Sequence, residues 1–147
     1  MELCKKNILD FLRDAKIIIK ERRLNHAYVS VQFAIEELGK IVMLKEALES
    51  SKDDSVLVEE KVFRSHREKS EKAWTVLSPK FKTICEGIFN NRLFDPRLFN
   101  TPTTVSHETR LECAFVDFNG TWHIGRRIKE DSLTDLIAHI EEILSQV

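Results

Sequence analysis

Glycine and proline are scarce in this chain, with 4 and 3 among 147 residues. An all-β fold needs turn residues between many short strands, so the scarcity favours long helices. Cysteine is scarce too, and Cys4, Cys85 and Cys113 are scattered. Their odd number, with no CxxC and no Cys/His pair at zinc spacing, excludes a disulfide framework or a zinc finger. Reduced thiols in a cytoplasm are the expectation. No uncharged apolar run reaches the roughly 18 residues of a membrane span, so no membrane partner is expected. Lys5, Lys6, Arg13, Asp14 and Lys16 also break any signal-peptide pattern in the first segment. Neither charge sign dominates: the net charge is -1. Net charge therefore gives no support to a nucleic-acid partner, and only a local patch leaves one open.

What is present is an ordinary soluble composition, with 32% charged and 42% hydrophobic residues. A chain of this length buries roughly 70% of its unfolded surface. The expectation is one domain over 1–147. Its parts are a helical core over 1–90, a loop and β-hairpin over 91–127, and a C-terminal helix over 128–147.

Ile8, Phe11, Leu12, Ala15, Ile18 and Ile19 predict a first helix over 3–22. A charged turn follows, with Asn25 as the cap of a second helix over 26–50. After a polar connection from Ser50 to Ser55, a third helix is expected over 56–77, ended by Ser78-Pro79. A shorter one follows near 80–90. Residues 91–109 lack helical periodicity. Leu111 to Phe118 reads as a strand, Asn119-Gly120 as a tight turn and Thr121 to Ile124 as the return strand. A last helix, capped by Ser132, carries Leu133, Leu136, Ile137, Ile140, Ile143 and Leu144 as its apolar stripe.

Chemistry concentrates in Ala34-Ile35-Glu36-Glu37-Leu38-Gly39-Lys40. Glycine inside a helix costs about 1 kcal/mol against alanine, so Gly39 suggests close approach of another backbone or a ligand. On a helical wheel Ala27, Val31, Ala34, Ile35, Leu38, Ile41 and Val42 form the core face. Glu37 falls at its border and needs a partner there. Glu36 points further toward solvent, one turn from Lys40, as a surface pair. In the third helix His66 shares an apolar stripe with Ser70, Ala73 and Leu77, with Lys69 one turn on. Antiparallel packing of helices two and three, favoured by the short connection, brings Glu37 to face His66. Such a pair serves equally as a structural clamp or as an acid-base pair. In the hairpin, Asp117 either braces the turn or offers a carboxylate, and Trp122 covers the helices. Glu37, His66 and Asp117 qualify as metal ligands by type alone. No local spacing supports a metal site, and no cofactor is expected. Phosphate loops, nucleophile elbows and HExxH are all absent.

Together these residues resemble a known family. His26-Ala27 with Ala34-Ile35-Glu36-Glu37-Leu38-Gly39-Lys40 resembles the core motif of the AbiV-type abortive-infection family. His66-Arg67-Glu68-Lys69 is similar to its H-x-x-K element. Arg110 through Trp122 is similar to its hairpin. Phe115 stands where the family has Tyr, and His123-Ile124-Gly125 where it often has a nearby proline. The family is similar to the HEPN group of small helical toxin and antiviral domains. The resemblance implies a mainly α protein: a HEPN-like antiparallel helical bundle with an appended hairpin and a final helix. It also implies a homodimer and a role in phage defence. Many HEPN proteins are ribonucleases with an R-x(4–6)-H motif, in which four to six residues stand between Arg and His. His26, His66, His107, His123 and His139 all lack an Arg at that distance; Arg22 precedes His26 with only three residues between.

Two functional readings follow. One is a defence protein that binds a phage or host protein through a helical groove lined by Glu37, Lys40 and His66. Glu36, Lys69, Arg110, Asp117 and Trp122 are its further binding candidates. The other is a divergent, metal-independent RNA-processing enzyme of ribonuclease type. There His66 is the acid or base, Glu37 orients it, and Lys40 or Lys69 stabilises phosphate charge. Against both stands a helical oligomer whose polar residues only fix packing.

Overall fold

The computed structural model describes residues 1–50, 64–77, 116–118, 122–124 and 128–146. Helix α1 spans Glu2–Lys20 and α2 spans Leu24–Ser50. Helix α3 spans His66–Leu77 and α4 spans Glu130–Gln146. The four share one apolar core. It contains Ile8, Leu12 and Ala15 of α1, Val31, Leu38 and Ile41 of α2, Ala73 and Leu77 of α3, and Leu133, Leu136, Ile137 and Ile140 of α4. The protein is mainly helical. Strands β1 (Val116–Phe118) and β2 (Trp122–Ile124) pair antiparallel, with Phe118 opposite Trp122 and Asp117 opposite His123. The ladder is three residues long, too short to be stable alone. The expected helix near 80–90, the Ser78-Pro79 stop, the 91–109 segment, Arg110 and the Asn119-Gly120 turn lie outside the described residues.

Helix α1 ends in a Schellman motif. The Arg22 amide donates to the Ile19 carbonyl at 2.8 Å and the Arg23 amide to Ile18 at 3.2 Å. Arg22 sits between them with φ 56°, in the left-handed region that glycine usually fills here. That conformation costs a residue with a Cβ roughly 1 kcal/mol or more. The turn is tighter than expected. Helix α2 starts at Leu24, so Asn25 lies in its first turn and does not cap it. The hairpin is antiparallel: the Phe11 and Phe33 rings lie 5.4 Å apart, while Cys4 meets Glu37.

Helix α3 departs from expectation in start and direction. Arg64 is still helical and Ser65 is not. The Ser65 hydroxyl accepts the Glu68 amide at 3.3 Å, which caps a new helix beginning at His66. The sequence Ser65-His66-Arg67-Glu68 is a capping-box pattern, and it sets the start of α3 at His66, within the expected 56–77 helix. Contacts between α2 and α3 advance together: Glu36 with His66, Gly39 with Lys69, Glu46 with Lys72. These two helices run in the same sense here, contrary to the expected antiparallel packing. Residues 51–63, which hold the expected connection and the start of the expected third helix, lie outside the described residues.

The crossing is set by Gly39. A Cβ built there would overlap the Lys69 carbonyl oxygen and lie 2.6 Å from its carbonyl carbon. The obstacle is backbone, so no rotamer change relieves it. The glycine inside α2 has the expected cause, a close backbone neighbour. Helix α4 begins at Glu130, three residues before the start that a Ser132 cap implies, leaving Ser132 inside its first turn. Glu130 and Asp131 there complement the helix dipole.

Gly39→Ala should lower stability by about 1–3 kcal/mol, because overpacking outweighs the gain of about 1 kcal/mol in helix propensity. Urea unfolding of both proteins measures this; an alanine variant of equal or higher stability would contradict the crossing.

Candidate functional site

Helix α2 is the central helix: it packs on α1, on α3 and on α4, and α4 also meets α1. A single apolar face therefore describes it badly. Besides Val31, Ala34, Ile35, Leu38 and Ile41, it buries Tyr28, Gln32, Glu36, Gly39 and Met43. These five recur at helical spacing and form a second buried stripe, which the wheel reading missed. Val42, expected in the core, is only half-buried.

The consequence for the paired carboxylates is a reversal of roles. Glu36 is 5% exposed and faces α3. Its Oε2 lies 2.6 Å from His66 Nδ1 and 3.2 Å from Lys69 Nζ. Glu37 is the half-buried one. It accepts a hydrogen bond from Lys40 of its own helix and faces Cys4 of α1. The expected Glu37–His66 pair is thus a Glu36–His66 pair, and the expected Glu36–Lys40 surface pair is a Glu37–Lys40 pair. Adjacent residues on a helix point about 100° apart, so the two acids serve different interfaces.

His66 was placed on an apolar stripe. It instead occupies the first position of α3, with its side chain 47% exposed. Ser70, Ala73 and Leu77 continue that stripe into the core, but His66 lies beyond the core's edge and closes over Glu36. Lys69 is buried, 6% exposed, with its ammonium on the Glu36 carboxylate. A buried carboxylate needs such partners, since an isolated buried charge costs several kcal/mol. The result is a carboxylate fixed from behind by a lysine and holding a histidine at the surface. Chemically, the Glu36 contact orients the imidazole and accepts from Nδ1 when that nitrogen carries a proton.

The other cluster was not foreseen. Burial pushes the Cys4 thiol above its ordinary pKa, and the Glu37 charge and hydrogen bond raise it further, with Lys40 opposing. Cys4 is therefore held as a thiol donor to Glu37 and is a poor nucleophile. Sequence spacing contains no sign of this contact, which joins residues 33 apart. A third polar contact was also missed. His139 of α4 is 9% exposed, and its Nε2 lies 3.2 Å from the carbonyl oxygen of Leu77, the last residue of α3. Its place among Leu136, Ile137 and Ile140 was the available signal.

Among the described residues no group of three or more His, Cys, Asp or Glu side chains could hold a metal. Glu37 and His66 lie on different sides of α2, so they do not share a ligand set. Asp117 and Trp122 belong to the ladder. No described helix is long and apolar enough to cross a membrane.

Glu36→Ala should cost about 3–5 kcal/mol, because it strands the Lys69 ammonium in the interior. Glu37→Ala should cost only about 1 kcal/mol, since Lys40 reaches water. Equal losses in urea unfolding would refute the assignment of the two acids. In a Cys85→Ser/Cys113→Ser background, Cys4 should be alkylated more slowly at mildly alkaline pH than the same thiol in unfolded protein. A raised pKa means less thiolate at any given pH, so Glu37→Gln should speed the reaction.

Comparison with known proteins agrees with the residue-level resemblance. The sequence model of the HEPN_AbiV family, described as AbiV, matches residues 1–145. Neither curated proteins nor solved structures give a match.

Proposed function

The chain belongs to the AbiV family of HEPN-type proteins, and on that premise we propose that it is an abortive-infection protein that restricts phage by binding. Its working surface is the exposed edge where α2 meets α3, centred on His66. The observation that carries this reading is the Glu36–His66–Lys69 arrangement. A half-exposed imidazole is fixed by a buried carboxylate, which is itself neutralised by a buried lysine. An oriented side chain at a surface loses little entropy on binding. Lys40, which pairs with Glu37 on another side of α2, is a further proposed contact residue, as are Arg110, Asp117 and Trp122. The partner is a phage or host protein, the compartment is the cytoplasm and the acting form is a homodimer.

A second reading is favoured by the same geometry. A carboxylate on His Nδ1 is also how enzymes orient a catalytic imidazole. In a divergent HEPN-type RNA-processing enzyme, His66 would be the acid or base. Glu36, in place of the expected Glu37, would orient it.

Phage plating on a host carrying the wild-type protein should fall, and His66→Asn should restore it while circular dichroism shows an unchanged fold. Glu37→Gln should keep protection. If His66→Asn protects as well as wild type, the surface lies elsewhere. The binding reading predicts that purified protein leaves RNA intact. Cleavage by wild type and none by His66→Asn would replace it with the enzymatic one.

A further inference from the structure

The α1–α2 turn gathers positive charge that the rest of the described protein does not use. Between Lys16 and Ile35 the chain has four basic residues, Lys16, Lys20, Arg22 and Arg23, and a single acid, Glu21. Lys16 is engaged by Glu141 of α4 at 2.6 Å. The other three are exposed, as is His26 one turn on. None of the described ion pairs includes them; those pairs engage Lys5, Arg13, Lys16, Lys40, Lys69 and Lys72. Against a net charge of -1 for the whole chain, this end of the hairpin is a local basic patch.

Arg22 gives the patch its second, independent mark. It holds the left-handed position of the Schellman motif at φ 56°. Glycine fits that backbone without strain, and most turns of this kind use it. A guanidinium kept where it strains the backbone points to a use for the side chain.

The chemistry of the patch selects its partner. A protein interface needs a buried apolar or aromatic anchor at its centre, and a membrane surface needs apolar residues to insert. Among the described residues the exposed large apolar side chains are Met1, Leu3, Leu9, Ile17, Phe33 and Leu48; Ile17 lies one turn before Lys20, and none falls between Lys20 and Gln32. Phosphate contacts need no such anchor. Two adjacent guanidiniums are also suited to bidentate pairing with phosphate oxygens. We propose that the α1–α2 turn docks the phosphodiester backbone of a nucleic-acid strand, through Lys20, Arg22 and Arg23 with His26 at the edge. The surface is distinct from the Glu36–His66 site, about 15 Å further along α2 from His26 at 1.5 Å per residue. It does not depend on which of the two functional readings holds.

The test is fluorescence anisotropy of the whole protein with labelled RNA and DNA strands of one sequence, about 16 nucleotides long. Both should bind at low salt. Three phosphate contacts should weaken affinity about 20-fold between about 50 and 200 mM salt, at a slope of about -0.7 per phosphate for a single strand. Arg22→Gly should reduce the slope by about 0.7, while its urea midpoint rises, because glycine relieves the left-handed backbone. Opposite signs in the two readouts separate lost contact from lost fold. Lys20→Gln/Arg22→Gly/Arg23→Gln should abolish the salt-dependent binding. The proposal is overturned if neither strand binds, or if the triple variant binds as wild type does. It is equally overturned if only one kind of strand binds, or if vesicles of anionic phospholipid bind and the strands do not.

Discussion

One approach, between Gly39 of α2 and the Lys69 carbonyl of α3, sets the geometry on which the polar interior depends. With no side chain at Gly39, the two backbones close to a distance that any Cβ would prevent. One turn back on each helix, Glu36 then meets His66. The glycine, the carboxylate and the histidine are therefore one structural statement: helix registry fixed by backbone contact, and charge chemistry placed by that registry. Small buried Ser70 and Ala73 continue the same close-packed face.

Two neighbouring glutamates show how a central helix divides its work. Because α2 is covered on both sides, residues 100° apart enter different environments. Glu36 enters an interior ion pair, where its partners decide whether burial is tolerable. Glu37 enters a half-wet cluster with Lys40 and Cys4, where the thiol is kept protonated.

Much of this was legible in the amino-acid sequence. The long helices, the apolar stripe of α4 and the close neighbour of Gly39 all follow from periodicity and from the cost of glycine in a helix. The family resemblance follows from three quoted motifs. What failed has identifiable causes. The wheel assumes one buried face, and Tyr28, Gln32 and Glu36 form a second. The third helix was drawn through Ser65, although Ser65 and Glu68 carry a recognisable cap. Its direction was inferred from a short connection, whereas the Glu36–His66, Gly39–Lys69 and Glu46–Lys72 contacts set it. Cys4–Glu37 and His139–Leu77 join distant residues, and no local pattern encodes either contact.

The Schellman turn makes the first 50 residues a hairpin whose cross-helix contacts, Phe11–Phe33 and Cys4–Glu37, join residues 22 and 33 apart. Closing the rest requires Lys16 to find Glu141, 125 residues away, and His139 to find Leu77, 62 away. Glu36 and His66, 30 residues apart, are no more distant than the hairpin's own contacts, so it is α4 whose docking rests on long-range closure. Without α3 packed on α2, Glu36 stands in water with a hydration shell. Its later partners are His66 and Lys69, and it must shed the shell before either can fully replace it. Seating α3 on α2 is therefore a dehydration event at one carboxylate, beside the glycine that lets the two backbones close.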